Sequence, residues 1–332
     1  MVVVWGILDH NNGHSSQVKG ALNTLKEKHG ASVYEVDISK YSRSRIKTLF
    51  RKRFISKKII TFNVLPKPDI IVSCGSRTYR YVMIIKALLK PLKKIPKVVF
   101  LMPPGRSVHK GLDLVFYVKS WHRNLSSKAN NVGLSYVISH LPEGEIYKYD
   151  LNIERPLISV VFPGSTKRNV LTNKVIKEAA FSIYKYVVKL EHSSVTILLG
   201  PRVTEKEKNM IIKHFAVYNI NVTQFTSKEQ AYSHYLYSLS ISERVIQVGE
   251  SLSMLADIKK AVSAFTKVYV YISLKFPDNR FFRYLEHNDV DMLEAGMEMV
   301  NEDLRSGRIY ENDDVAVTAS NHIMNLLDNK KK

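Results

Sequence analysis

The sequence predicts two doubly wound α/β domains in tandem, each built on a parallel sheet. Three observations carry this. Short apolar, β-branched runs alternate with longer stretches of helical periodicity, the pattern of βαβ units. That grammar runs through the first half of the chain and starts again near residue 157. The chain has 332 residues, 45% of them hydrophobic, which suits two packed cores better than one.

In order, VVVWGIL (2–8) reads as a strand, and QVKGALNTLKEKHG (17–30) as a helix with Val18, Ala21, Leu22 and Leu25 on one face and Gly30 as its stop. SVYEVDI (32–38) and DIIVSCG (69–75) read as strands, with a basic segment between them. A helix follows from about Thr78 to Leu89, stopping before Pro91, and KVVFLM (97–102) and LDLVFYV (112–118) read as further strands. After a polar connection, the second series runs LISVVF (157–162), a helix from Lys174 to Glu191, SVTILLG (194–200), a helix from Glu205 to Tyr218, and a strand at INVTQF (220–225). It continues through SERVIQVG (242–249), a helix to Val262, and KVYVYIS (267–273); residues 274–332 read as polar and helical with a charged tail. The predicted boundaries are 1–152, 153–310, and 311–332 for a C-terminal helix and tail.

The formal net charge is +20, from 50 Lys+Arg against 30 Asp+Glu, so a polyanionic surface is the expected partner, either anionic lipid or nucleic acid. The densest stretch, RSRIKTLFRKRFISKK (43–58), has eight Lys/Arg and no acid, and Ile46, Leu49, Phe50 and Phe54 share a face if it is helical. It suits a helix lying in a membrane interface, with Arg51, Lys52, Arg53 and Phe54 at its centre; a solvated surface helix fits the same pattern. No zinc-finger, RRM or KH signature accompanies the charge, which argues against nucleic acid. Cys74 is the only cysteine, and no signal-peptide pattern or membrane-spanning run is present, so the expectation is a cytoplasmic protein, peripheral at the inner face of a membrane if the basic segment binds there.

Ligands of open parallel sheets sit beyond the strands' carboxyl ends, where helix N-termini and loop amides point. The loops to read are therefore DHNNGHSSQ (9–17), CGSRT (74–78), PPGRS (103–107), PGSTKRN (163–169), GPRVT (200–204) and GESLSM (249–254). Their Gly, Ser, Thr and basic residues suit a phosphate or diphosphate, while Ser, Thr and Gly at such turns serve equally as helix caps. There is no GxxxxGK[ST] and no GxGxxG after the first strand, which argues against a nucleotide kinase or an NAD dehydrogenase. His10 and His14 lack the further ligands of a zinc site, the Asp289-Val-Asp291 triplet reads as a helix face, Cys74 reads as core, and no GxSxG occurs. No bound metal or cofactor is expected.

The opening DHNNGHSSQVKGALNTL resembles the D-x-x-x-G-H-x-x-Q-x-x-G-L start of the mitochondrial-fission "elongated mitochondria" family of plants and bacteria, which has a GT-B glycosyltransferase-like architecture. PDIIVSCGSRTYRYVMIIK, VVFPGSTKRNVLT and VIQVGESLSMLADI resemble later segments of the same family, in order. Glu250 stands where the family has Asp before S-x-S-M, Asp257 stands for its following Glu, and GPRVT keeps one Arg and the Thr of its S-R-R-T. The resemblance implies two Rossmann-like domains facing across a cleft, with a nucleotide-sugar donor as substrate on the second and an envelope or lipid-linked acceptor on the first. It implies metal-independent transfer, with Gly164, Ser165, Arg202, Thr204, Glu250, Ser251 and Ser253 around the diphosphate and Asp257 on a ribose hydroxyl. His14 or Asp9 is then the candidate base, and Gly13, Gln17, Gly75, Ser76 and Arg77 line the acceptor side. A non-catalytic peripheral membrane or interaction protein on the same fold, linked to membrane or organelle division, is the competing class.

Overall fold

The computed structural model describes residues 1–39, 65–90, 95–104, 111–119, 130–140, 157–165, 170–190, 193–220, 222, 228–263, 265–272, 285, 291–294 and 315–328. The chain divides into two units, one of Met1–Leu141 with Asn312–Lys332 and one of Pro142–Glu311.

In the first unit the strands are β1 (Val3–Leu8), β2 (Ser32–Asp37), β3 (Ile70–Ser73), β4 (Lys97–Phe100), β5 (Leu114–Val118) and β6 (Asn131–Leu134). They form a parallel six-stranded sheet in the order β2-β1-β3-β4-β5-β6. Helix α1 (Asn12–His29) follows β1 and α2 (Ser76–Leu89) follows β3. Period-two alternation splits the strands between two cores. Val4, Ile70, Val72, Val99 and Phe116 pack with Val18, Ala21, Leu22 and Leu25 of α1. Trp5, Ile7, Ile71, Val98 and Phe100 pack with Tyr81, Val82, Ile85 and Leu89 of α2 on the opposite face.

The second unit has β7 (Leu157–Phe162), β8 (Ser194–Leu199), β9 (Arg244–Val248), β10 (Lys267–Ile272) and β11 (Asp291–Glu294), parallel in the order β11-β10-β9-β7-β8. Its helices among the described residues are α3 (Asn173–Val188), α4 (Glu205–Ala216), α5 (Lys228–Ile241) and α6 (Leu252–Ala261). Ile158, Val160 and Phe162 bury against α3 and α4; Val161 and Val245 bury against Leu239 of α5 and Met254 and Ile258 of α6. A last helix, α7 (Val315–Asp328), joins the first unit, where Val315, Ala316, Ala319 and Ile323 pack into the α1 core. His29 Nε2 lies 3.1 Å from Ser320 Oγ, and the Phe116 and His322 rings meet edge-on at 6.4 Å.

Some expectations are corrected. Most of the strand expected at 220–225 lies outside the described residues, and Ile220 belongs to the end of α4: Asn219 takes a left-handed φ of 59° and the Ile220 amide donates to Phe215 O at 3.2 Å, which is a helix C-terminus. Helix α5 escaped periodicity because its aromatic, hydroxyl and apolar residues are spread around it rather than gathered in a stripe. Strand β6 begins with Asn131 and pairs on one side only, and β11 replaces the helix expected around Asp291 by pairing Asp291 with Tyr269.

Candidate functional site

Each sheet has a switch point, where the chain crosses from one side of its first strand to the other. In the first unit this lies between β1 and β3, and in the second between β7 and β9. Ligands of such sheets bind beyond the carboxyl ends of that strand pair, and several of the predicted site residues lie on the loops and helix starts there.

At the first switch point, Asp9 ends β1 with its side chain at 0% exposure, while His14 is 31% exposed. Asp9 accepts from the Asn11 amide at 2.9 Å, and Asp9 Oδ2 lies 3.4 Å from His14 Nδ1. Burial raises the Asp9 pKa, but the bonds from His14 and Asn11 and the charges of His14 and His10 outweigh it and hold the carboxyl below its ordinary value. Asn11 is the N-cap of α1 and accepts from the Gly13 and His14 amides at 3.1 and 3.4 Å. Gln17 is buried one turn on; its Nε2 donates to Gly13 O at 3.2 Å, and its Oε1 has no hydrogen-bond partner among the described residues.

The loop after β3 meets this loop directly. Gly75, with φ 88° and ψ 155°, is the N-cap of α2 and offers no side chain to the helix amides. A Cβ there would fall inside 3.0 Å of the His14 ring, so the ring seats on bare backbone. Arg77 reaches from the first turn of α2 to donate to His10 Nε2, while Ser76 is exposed. Cys74 is a fully buried thiol whose pKa is raised by burial and by the Asp9 charge, in keeping with a core role.

At the second switch point, Arg202, from the loop after β8, ties together the loops after β7 and β9. Its Nε donates to Pro163 O at 3.3 Å and its Nη2 to Ser251 Oγ at 3.0 Å. Ser251 is the N-cap of α6 and accepts from the Met254 amide at 3.4 Å, and Ser253 lies in the first turn of that helix. Gly164 has φ 83°, and a Cβ on it would strike the Arg202–Val203 peptide, so glycine lets these two loops touch.

Ser165 and Thr204 have local duties. Ser165 Oγ donates to Glu207 Oε1 and accepts from the Leu171 amide at 2.8 Å. Thr204 closes a capping box: its amide and hydroxyl donate to Glu207 Oε2 at 2.7 and 2.9 Å, and its Oγ1 accepts from the Glu207 amide at 3.3 Å. Glu207, only 5% exposed, thus pins the loops after β7 and β8. Burial raises its pKa, and the bonds from Ser165 and Thr204 more than reverse this. The T-x-x-E spacing was its visible signal.

Glu250 and Asp257 are half-buried. Burial lifts the Tyr232 phenol to about 12 and also raises that of Tyr235, and the Asp257 charge adds to both, which places Asp257 beside α5. Arg51, Lys52, Arg53 and Phe54 lie outside the described residues. Among the described residues no cluster of three or more His, Cys, Asp or Glu is arranged to hold a metal, and no helix is long and apolar enough to cross a membrane.

Solved structures share this arrangement of sheets and helices. The chain is similar to a UDP-GlcNAc 2-epimerase from Neisseria meningitidis bound to UDP-GlcNAc, with a TM-score of 0.56 and 10% identity over 89% of this chain and 88% of that one. It is also similar to a putative UDP-N-acetylglucosamine 2-epimerase from Listeria monocytogenes, at 0.54 and 12% over 99% and 89%. A trehalose-6-phosphate structure from E. coli, bound with UDP-2-fluoro glucose, gives 0.51 and 10% over 98% and 96%. At such identities the likeness shows the fold, which is the GT-B-like class with two Rossmann-like units. The family model for mitochondrial fission ELM1 matches residues 12–289, and the chain belongs to that family. Comparison with curated proteins gives no match.

Proposed function

We propose that this chain binds a nucleotide-sugar donor at the switch point of its second sheet and transfers the sugar to an envelope or lipid-linked acceptor without a metal. The observation that carries the reading is Arg202, which joins Pro163 O to the Ser251 N-cap and so brings a guanidinium to a helix N-terminus. Both features attract a diphosphate, and both stabilise the charge that grows on it as the sugar leaves. The neighbours bound to UDP-GlcNAc and UDP-2-fluoro glucose support a donor of this class.

In this reading Gly164 keeps the approach to Arg202 open, Ser253 adds a hydroxyl at the first turn of α6, Glu250 stands at the donor beside Ser251, and Asp257 binds a ribose hydroxyl. His14 is the base for the acceptor hydroxyl. Asp9, ionised at neutral pH, faces Nδ1 at 3.4 Å and so selects the tautomer that leaves Nε2 to take a proton. Gly13, Gln17, Gly75, Ser76 and Arg77 surround that position on the acceptor side. Binding without transfer is the second reading; it is favoured by Glu250 and Asp257 standing where the family has Asp and Glu.

Calorimetry and thermal shift with UDP, GDP, ADP, TDP and CMP test the donor site. One nucleotide is expected to bind, and Arg202→Ala is expected to weaken it by about 10- to 100-fold, the worth of a charge-assisted hydrogen bond. No response to any of the nucleotides refutes the reading, and binding without turnover of any nucleotide sugar selects the non-catalytic alternative.

A further inference from the structure

We propose that the outer face of α3 and α4 is a docking surface for an anionic phospholipid bilayer. The inference is independent of the nucleotide-sugar reading and concerns a surface away from the loops that reading uses. Val175, Ile176, Ala179, Ala180, Ile183 and Tyr186 turn one side of α3 to the sheet. The opposite side carries Lys174, Lys177, Phe181, Lys185 and Val188 at three- and four-residue spacing, which makes one stripe on a helix.

That stripe is apolar and, with Lys174 paired to Glu178 at 3.6 Å, cationic through Lys177 and Lys185. Phe181 is 46% exposed and Val188 59%, and Val217, at the end of the neighbouring α4, is 71% exposed. Tyr184 stacks on Tyr218 at 4.4 Å and 18°, which joins the two helices across the patch. Lys185 lays its chain over the Phe181 ring, with Nζ 4.8 Å from the centroid. Lys189 and Lys213 are exposed, and Lys177 and Lys213 both lie near enough to His214 that their charges, after burial, lower its pKa.

Charge complementarity selects the occupant. Lysine is depleted from the centres of protein–protein interfaces, whereas a rim of lysines around Phe and Val suits a bilayer, where stems lie along acyl chains and ammonium groups reach phosphates. Each lysine near an anionic surface adds attraction, and the chain carries a net charge of +20. Nucleic acid matches the lysines but leaves exposed Val188 and Val217 without a contact.

The test is co-sedimentation of the full chain with sucrose-loaded vesicles of phosphatidylcholine, with and without about 30% phosphatidylserine, at about 0.1 M salt. Wild type is expected to pellet only with the anionic vesicles. Phe181→Ser, Val188→Ser and Val217→Ser together are expected to cut partitioning at least about tenfold, and Lys177→Glu, Lys185→Glu and Lys213→Glu together at least as much. These positions are exposed, so circular dichroism and the thermal unfolding of the variants should match wild type. Absence of vesicle binding, or wild-type binding by both triple variants, overturns the proposal; in the second case Arg51→Glu, Lys52→Glu and Arg53→Glu show whether the 43–58 segment is the anchor instead. A wild-type dimer in ultracentrifugation that the apolar triple variant abolishes also overturns it, in favour of a second copy on this face.

Discussion

Replacing Gly75 by alanine tests the contact between the two loops at the first switch point. At φ 88° and ψ 155° the backbone lies in a region that essentially only glycine enters, and holding another residue there costs about 1–3 kcal/mol. The new Cβ also meets His14 inside 3.0 Å, so the ring must swing out and lose its place beside Asp9. That hydrogen bond is partly buried, so its loss adds about 0.5–1.5 kcal/mol, for a total of about 1.5–4.5 kcal/mol. Against an ordinary stability of about 5–15 kcal/mol this is easily measured by urea titration followed through Trp5, which is buried in β1. The His14→Ala background separates the two parts: with the ring gone, only the backbone part remains, and the cycle should show coupling of at least about 0.5 kcal/mol. Equal costs of Gly75→Ala in both backgrounds, or no cost in either, would refute the seating of His14 on Gly75.

Two further outcomes follow from the buried carboxylates. Glu207→Ala strips the α4 capping box and leaves Ser165 without its acceptor, and should destabilise the second unit by about 2–3 kcal/mol in chemical denaturation; a change within about 0.5 kcal/mol would count against its role as the pin between the loops after β7 and β8. Asp9 and Glu207 both have folded pKa values below their ordinary ones, so the unfolded chain binds protons first as acid is added. Their stabilisation is complete above about pH 4–5 and is lost as pH falls through the folded values. Denaturation from pH 7 to 3 should therefore show a shallower acid limb in Asp9→Asn than in wild type, and a limb of unchanged steepness would remove Asp9 from the account.

The fold was legible because buried parallel strands are continuous apolar runs, as in LISVVF and DIIVS, and because the helices after them carry a one-sided stripe. Where those physical conditions fail, so does reading: β6 is a short edge strand and α5 has no stripe. The positions of the switch-point loops were legible but their extent was not: the loop read at 9–17 ends at Asn11, so Gly13, His14 and Gln17 stand on α1, Ser76 and Arg77 stand on α2, and the partnerships between loops were not legible either. That His14 rests on Gly75 depends on β3 lying beside β1, and that Arg202 reaches Ser251 depends on β9 lying beside β7, which is a property of strand order. Thr204 shows the opposite case, since its spacing to Glu207 already marked a capping box, and the cap accounts for a hydroxyl that the family resemblance assigns to phosphate.

Helix α7 sets an order for making this protein. His29 and Ser320 are 291 residues apart, so at about 5–20 residues per second a ribosome needs about 15–60 s to deliver the helix after α1 has emerged. Throughout that time the α1 face of the first sheet lacks Val315, Ala316, Ala319 and Ile323. The second unit, which is continuous in sequence, can close its core while the first still waits, so the half synthesised first is the half completed last.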